Sequence, residues 1–245
     1  MTVNTDADRA RKADWEPMPR LQNRTLREQV HDHLKHEILA GNYPPGSELL
    51  EVPLSKELGV SRGPIREALW SLETEGLVQI TPRRGAVVIS LTKRDFLETY
   101  QVRESLEVLG VRLAVPLLDE AALDGLDARN RRMADHAERD DVDGFFEDNA
   151  AFHQALVEGS ANRKLVEIYR RLIAQMGPYR RPSARLRGNL EQSVTEHGEI
   201  IAAMRARDVE GAVQMIMKHI EVPQRTLETM SDEQFARSAG LPPAG

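Results

Sequence analysis

The chain has 245 residues, of which 40% are hydrophobic, and it carries a formal net charge of -6 and no cysteine. This length allows one large domain or two ordinary ones, and the lack of cysteine excludes disulfides and thiolate metal sites. There is no run of about eighteen apolar residues and no apolar secretory segment, so we expect no membrane span and a cytoplasmic location. The acidic charge disfavours a protein that coats nucleic acid, although a local basic surface remains compatible with it.

The N-terminal part of the sequence begins with a predicted arm and two helices. Residues 1–20 are mixed in charge and contain two prolines, so we expect a disordered arm. A first helix is predicted over residues 23–40, and the turn-forming segment GNYPPG ends it at Gly41. A short second helix is expected over residues 53–58. The apolar face of the first helix consists of Leu26, Val30, Leu34 and Ile38.

A third helix follows Leu58, and it has both an apolar and a polar surface. Ser61 is the expected N-cap, with its hydroxyl accepting a hydrogen bond from a first-turn amide. The apolar residues are spaced at i, i+3, i+4 and i+7, namely Ile65, Ala68, Leu69 and Leu72. At about 100° per residue, the adjacent surface carries Arg62, Gly63, Arg66 and Trp70.

Residues 77–90 change to a β-type pattern and predict a small hairpin with Arg83 and Arg84 at its tip. Three helices followed by a hairpin predict a winged helix-turn-helix. In such a domain the recognition helix enters the major groove, where arginine suits guanine, and a basic hairpin tip suits phosphates or the minor groove. Two arginines one turn apart are also common on a merely solvated helix surface. The Gly-Val-Ser turn and the basic tip favour DNA binding.

After Leu91 the pattern is helical to near the C terminus, with helices predicted over residues 93–115, 119–140, 142–159, 163–179, 186–207 and 209–229. The predicted fold class is therefore mainly α. An N-terminal winged helix-turn-helix (three helices plus a small β-hairpin) over residues 21–91 precedes an all-α antiparallel helical bundle. This bundle covers residues 92–232, and residues 233–245 are expected to be a tail.

Three of the seven histidines lie on apolar stripes of three different predicted helices: His153, His197 and His219. One such histidine is more often a satisfied core residue than a ligand. Three of them are costly to bury unless each has a partner, and one shared divalent cation would satisfy all three. Asn149 lies one turn before His153, so both side chains can face the same point.

Arg103 lies on the predicted stripe that also contains Phe96, Tyr100 and Glu107. One interpretation is an intrahelical salt bridge to Glu107 at i+4. The alternative is a clamp for a ligand carboxylate, which the planar guanidinium fork suits. The sequence leaves both interpretations open.

The segment PPGSELLEVPLSKELGVSRGPIREALWSLETEGLVQITPRRGAVV resembles the DNA-binding domain of the GntR family of bacterial transcription regulators. The resemblance implies DNA contacts by Arg62 and Arg66 in the recognition helix and by Arg83 and Gly85 in the wing. Together with the surface argument above, the expected DNA-binding residues are Ser61, Arg62, Gly63, Arg66, Arg83, Arg84 and Gly85. A further arginine known in some members falls at Val52, so one backbone contact is expected to be missing.

The remaining part resembles the FCD effector-binding domain of the FadR subfamily, through QVRESLE, NAAFHQALVEGSANRKL and EHGEIIAAMRARDVEGAVQMIMKHI. The resemblance implies a divalent metal held by Asn149, His153, His197 and His219, with zinc first and nickel, iron or manganese as alternatives. Asn149 stands where the family has an acidic ligand, which should weaken metal binding. The resemblance also places Arg103 at the effector, and we expect Tyr100 and Glu107 beside it.

The sequence therefore predicts a homodimeric transcription regulator, most simply a repressor. It would bind a pseudo-palindromic DNA operator and respond to a small organic acid held beside the metal. A helical-bundle metalloenzyme that uses the histidines is the alternative. The predicted bundle contains no Glu-x-x-His pair of the kind that di-iron bundles use, and the sequence contains no His-Glu-x-x-His motif. A structural nucleoid protein is disfavoured by the acidic charge.

Overall fold

The computed structural model describes residues 24–81, 85–176 and 190–238. In the first of these ranges, three helices form one unit with a small sheet: α1 (Leu26–Ala40), α2 (Glu51–Glu57) and α3 (Arg62–Glu75). A capping box starts α1, since Thr25 accepts from the amide of Glu28 and the Glu28 side chain accepts from the amide of Thr25. The helix boundaries lie within three residues of the predicted ones.

The sheet of this unit has three antiparallel strands in the order β1–β3–β2, namely β1 (Glu48–Leu49), β2 (Val78–Thr81) and β3 (Gly85–Val88). The predicted hairpin is present, and Thr81 and Gly85 form the strand pair next to its tip. Its tip, with Arg83 and Arg84, lies outside the described residues. Strand β1 was not predicted, because two residues are too few to show a period.

The apolar stripes of α1 and α3 form the core of the winged helix. All four predicted residues of the α3 stripe are buried, as are Val30, Leu34 and Ile38 of α1. Leu26, at the N-terminal end of the same apolar face, is 44% exposed. The prediction of a winged helix-turn-helix is confirmed.

Seven further helices form the bundle in the described residues. They are α4 (Lys93–Ala114), α5 (Glu120–Glu138), α6 (Val142–Glu158), α7 (Arg163–Met176), α8 (Leu190–Arg205), α9 (Val209–Thr229) and α10 (Asp232–Ser238). Aspartate N-caps start three of them: Asp119 accepts from the amide of Ala122, Asp141 from that of Gly144 and Asp208 from that of Gly211. The predicted mainly α fold class is confirmed.

The short helix α10 covers part of the stretch that we expected to be a tail. Its Phe235 is 2% exposed, and the ring lies 5.6 Å from that of Phe96. One buried aromatic residue in seven gives no helical period, so the sequence pattern could not reveal this packing. Parts of the predicted helices 163–179 and 186–207 lie outside the described residues.

Helix α7 is the element of the bundle that contacts the recognition helix. Gly76 ends α3 in the left-handed region, with φ 82°. A Cβ atom at Gly76 would lie 3.2 Å from the carbonyl oxygen of Arg171 in α7. Farther along α7, Ala174 packs against the winged-helix core. The end of α3 therefore lies directly on α7.

Candidate DNA-contact face and histidine centre

The predicted DNA-contact residues of α3 lie together on its exposed N-terminal part. Ser61, Arg62, Gly63 and Arg66 are all exposed. Ser61 occupies the N-cap position, but its hydroxyl makes no capping hydrogen bond within the described part of the chain, so that detail of the prediction was wrong. An unengaged hydroxyl at this position remains available to a DNA phosphate.

Glu51 of α2 pairs with both arginines, a feature that the sequence analysis missed. Arg66 donates from Nε to Oε1 (2.7 Å) and from Nη2 to Oε2 (2.8 Å) of Glu51. Arg62 donates to Oε2 from Nε (3.1 Å) and from Nη2 (2.9 Å). Hydrogen bonds from Arg66 lower the pKa of Glu51 to about 2, against the opposing effect of burial and with help from Arg62. The carboxylate is therefore ionised throughout the physiological pH range.

The wing begins beside this cluster. Gly85 starts β3 with φ 79°, and a Cβ atom there would lie 3.1 Å from the carbonyl oxygen of Leu49. Only glycine fits this close approach without strain. Trp70, one turn beyond Arg66 on the same surface, is 54% exposed. The described part of the candidate DNA-contact face thus combines a hydroxyl, two guanidinium groups and an indole.

The three predicted histidine ligands come together in the bundle core. His153 of α6, His197 of α8 and His219 of α9 are all buried, and one ligand atom from each lies within 4.8 Å of the others. The Nε2 atom of His219 lies 3.1 Å from Nε2 of His197 and 3.2 Å from Nε2 of His153. The His197 ring stacks on Phe152 with 4.2 Å between centroids, which holds its orientation.

Two buried carboxylates orient the histidine rings. The Nδ1 atom of His153 donates to Oε2 of Glu107 (2.6 Å), and that of His219 donates to Oε2 of Glu196 (2.8 Å). A carboxylate accepts hydrogen bonds, so Nδ1 is the donor in both pairs, and in the neutral ring this leaves Nε2 as the acceptor or metal ligand. Carboxylates in this position fix the tautomer and raise the basicity of metal-binding histidines.

The donor set fits a divalent cation. Ligand bonds of 2.0–2.1 Å place neighbouring nitrogen ligands about 2.8–3.4 Å apart around a four- to six-coordinate ion, and the two Nε2–Nε2 distances are 3.1 and 3.2 Å. The side chains alone therefore have a geometry suited to a metal.

Asn149 offers a buried oxygen on the same helix as His153. Its Oδ1 atom is buried and has no hydrogen-bond partner among the described residues. It precedes His153 by one turn of α6, and both residues line the same cavity. The neighbouring Asp148 accepts hydrogen bonds from Arg132, including one of 2.9 Å from Nε, which engages its carboxylate elsewhere. An orphaned amide oxygen is what a neutral fourth ligand would supply.

Arg103 does form the intrahelical salt bridge, with 2.6 Å between its Nε and Oε1 of Glu107. Tyr169 of α7 also donates to Oε1 of Glu107 (2.8 Å), so this fully buried carboxylate joins Arg103, His153 and Tyr169. Burial raises the pKa of Glu107, but Arg103 and His153 outweigh it and bring the pKa to about 2. Burial lowers the pKa of Arg103, and Glu107 reverses this to a net rise. Both groups are charged.

A cavity of about 900 Å³ lies beside this network. Of the expected effector-binding residues, Tyr100 and Arg103 line the cavity, while Glu107 is fully buried behind them. Asn149, His153 and His219 line it as well. The Arg103 guanidinium lies 5.5 Å from the centroid of the Tyr100 ring and its side chain is 12% exposed. The salt bridge therefore does not remove Arg103 from the cavity wall.

Two family models match the chain. "Bacterial regulatory proteins, gntR family" covers residues 26–88, and "FCD domain" covers residues 98–222. The chain belongs to the GntR family. This GntR-family protein is 32% identical over 202 residues to Bacillus subtilis YdhC, an uncharacterized HTH-type transcriptional regulator, with 78% of this chain and 86% of that protein covered. It is 25% identical over 208 residues to the Escherichia coli HTH-type transcriptional repressor RspR, covering 85% and 91%.

Among solved structures, E. coli McbR/YncC is similar with a TM-score of 0.71 and 26% identity, covering 84% of this GntR-family chain and 98% of that one. The relatives are transcriptional regulators, and so is this protein; it is not an enzyme. Helices in the described ranges are too short or too polar to act as membrane spans.

Proposed function

We propose that this GntR-family regulator is a repressor whose operator binding responds to an organic acid bound beside a divalent metal ion. The observation that carries the proposal is that His153, His219, Asn149 and Arg103 line one cavity. Nε2 of His197 lies 3.1 Å from Nε2 of His219, and the amide oxygen of Asn149 has no hydrogen-bond partner among the described residues. Repression is supported by the relative RspR, which is named a repressor. The protein would act in the cytoplasm, where operator DNA lies.

The metal would be held by His153, His197, His219 and Asn149. A metal at this point supplies positive charge and open coordination positions for an anionic ligand. Zinc fits the imidazole-rich set, and nickel, iron or manganese are the alternatives. Because imidazole binds metal only when deprotonated, the ion should be released as the pH falls below about 6.

The acid would bridge the metal and Arg103. Neutral ligands leave the full charge of the ion in place, and the guanidinium adds another positive charge at the same wall. A carboxylate therefore gains two charge-assisted interactions, whereas an uncharged or cationic molecule gains little. Glu107 would hold Arg103 in the orientation that faces the acid.

The DNA side of the proposal uses two copies of the chain, in the manner of the FadR subfamily. A two-fold symmetric homodimer would present two recognition helices to the half-sites of a pseudo-palindromic operator. Ser61, Arg62, Gly63 and Arg66 would contact the major groove, and Arg83, Arg84 and Gly85 would contact the backbone or minor groove.

Metal analysis and calorimetry test this function together. The expected result is about one equivalent of metal in the wild-type protein and much less in His197→Ala, with His33→Ala, an exposed histidine of α1, as the control. Small organic acids should bind the wild type and lose most of their affinity for Arg103→Ala and for metal-stripped protein. If Arg103 were only a structural salt bridge, its removal would lower the melting temperature and leave acid binding unchanged. Equal acid binding by all three proteins would refute the proposed site.

A further inference from the structure

The cavity beside the histidine centre extends to the winged helix. Its lining includes Leu39 of α1 and Leu77 just after α3, in addition to Arg103 and the metal-site residues of the bundle. Val166 and Ala174 of α7 line the same space. One molecule that fills this cavity therefore contacts both the metal-site wall and the DNA-binding domain.

The cavity is larger than a small acid requires. At about 30 Å³ per water-sized group, an acid of six heavy atoms fills about 200 Å³. The available volume is about 900 Å³, near the upper end of the usual range for pockets that hold drug-sized ligands. A short acid at the metal would leave most of the space unfilled.

The walls differ in chemistry. Arg103, Asn149, His153 and His219 make one part cationic or polar. Most of the remaining lining surface is apolar and comes from residues such as Leu39, Leu77, Phe146, Val166, Ile173 and Ala174. Charged residues also line the cavity, namely Lys35, Glu75, Glu158, Arg163, Glu167, Arg170 and Arg171. The polar groups of the winged-helix wall are already paired, since Glu75 accepts from Lys35 Nζ (2.7 Å) and lies 2.7 Å from Nε2 of His31.

We infer that the effector is an amphipathic acid, with a carboxylate at Arg103 and the histidines and an apolar body that reaches Leu39 and Leu77. This inference rests on the proposed function, because it assigns the carboxylate to that site. The apolar body is the part of the ligand that contacts the winged helix. Acids that are too short occupy the polar end and leave operator binding unchanged, whereas long acids change it.

A homologous series of straight-chain carboxylates tests the inference, from propanoate through hexanoate to decanoate, with the full-length protein in its metal-bound state. Each buried methylene contributes about 0.8 kcal/mol, so the dissociation constant should fall roughly fourfold per methylene until the cavity is filled. Operator affinity, measured in parallel by fluorescence anisotropy, should change with decanoate and not with propanoate.

Two variants on α1 locate the apolar end. Leu39→Asn should reduce decanoate affinity at least tenfold and leave propanoate binding unchanged. Leu26→Asn is the matched control, because Leu26 lies on the same helix, is exposed and is not among the described cavity residues. Propanoate binding and ligand-free operator binding show that Leu39→Asn is folded. If Leu39→Asn binds decanoate as the wild type does, the assigned position of the apolar body is wrong.

The outcomes separate the inference from the proposed function. If all acids bind with one affinity and Arg103→Ala abolishes binding, the acid site stands and the amphipathic effector is refuted. If decylamine binds as well as decanoate and Arg103→Ala has no effect, the acid site itself is refuted, and the inference fails with it. Failure of every carboxylate to bind also overturns the inference.

Discussion

Glu51 places one carboxylate between the two arginines of the candidate DNA-contact face. Both guanidinium groups use their Nε–Nη2 edge for Glu51. The Nη1–Nη2 edge of each remains for other partners, and that edge suits the O6 and N7 atoms of guanine. Because the pKa of Glu51 is about 2, we expect this arrangement to persist from pH 5 to 8.

Replacing Glu51 should separate DNA specificity from DNA affinity. In Glu51→Gln, operator affinity should fall about tenfold, because a misaligned bidentate contact to guanine costs about 1–3 kcal/mol. Affinity for a scrambled duplex should rise slightly, since one negative charge near the phosphates is removed. Anisotropy titrations with both duplexes at several salt concentrations measure this. Glu67→Gln makes the same charge change on an exposed position of α3, and an equal specificity loss in both variants would argue against a positioning role.

Asn149 controls the charge of the proposed metal site. Asn149→Asp should raise metal affinity on the order of tenfold, since an anionic oxygen beside a dication gains at least about 1.4 kcal/mol of Coulomb energy. It should also weaken binding of the organic acid, because the site becomes less positive. Competition with a metal chelator measures the first effect, and calorimetry measures the second.

The neighbouring residue provides the control for this prediction. Asp148→Asn should leave metal affinity unchanged, because the Asp148 carboxylate is engaged by Arg132. A loss of metal from Asp148→Asn, together with no effect of Asn149→Asp, would show that the wrong oxygen has been assigned to the metal.

At the scale of elements, α7 connects the histidine centre with the recognition helix α3. Its Tyr169 donates to Glu107, which in turn accepts from His153. Its Arg171 carbonyl lies against Gly76 at the end of α3. Burial, followed by the charge of Glu107, raises the pKa of Tyr169, so the phenol stays protonated and keeps its role as a donor. A displacement of α7 in response to ligand would therefore reach the recognition helix.

Two glycine variants isolate this contact. Gly41 and Gly76 end α1 and α3 with φ values of 83° and 82°, so alanine should cost about 1 kcal/mol of backbone strain at either position. An added Cβ meets no atom of the described residues within 4 Å at Gly41 but lies 3.2 Å from Arg171 O at Gly76. Both variants should melt at lower temperature, and only Gly76→Ala should alter the effect of the acid on operator binding. An equal response from the two variants would exclude the α3–α7 contact as the route.

The sequence pattern predicted elements well where one helix face is apolar over several turns, as in α3 and α9. It could not reveal β1 or α10, which are too short to show a period. At the site, His153, Arg103 and Glu107 were visible because their helical spacing or an apolar setting marks them. Glu51, Glu196 and Tyr169 were missed, since their roles depend on contacts between different helices, such as the pair Tyr169 and Glu107, 62 positions apart.

At the scale of the whole molecule, the cavity lies where the bundle and the winged helix meet. A ligand can shift an equilibrium between two arrangements only by as much as its affinity for them differs. A molecule that contacts both walls has such a difference available, because a change in the distance between the walls changes its own contacts. The position of the cavity thus gives the proposed effector a physical route to the DNA-binding domain.

The third strand of the small sheet has a consequence for what the proposed effector can alter. Strand β1 pairs with β3 of the wing and is followed two residues later by Glu51, which holds Arg62 and Arg66. The wing and the recognition helix are thereby connected, so we expect the winged helix to approach DNA as one rigid body. A change in the orientation of this rigid body should change its affinity for DNA but not its preference for a base sequence. The same half-site sequence should accordingly be preferred at every concentration of the proposed effector.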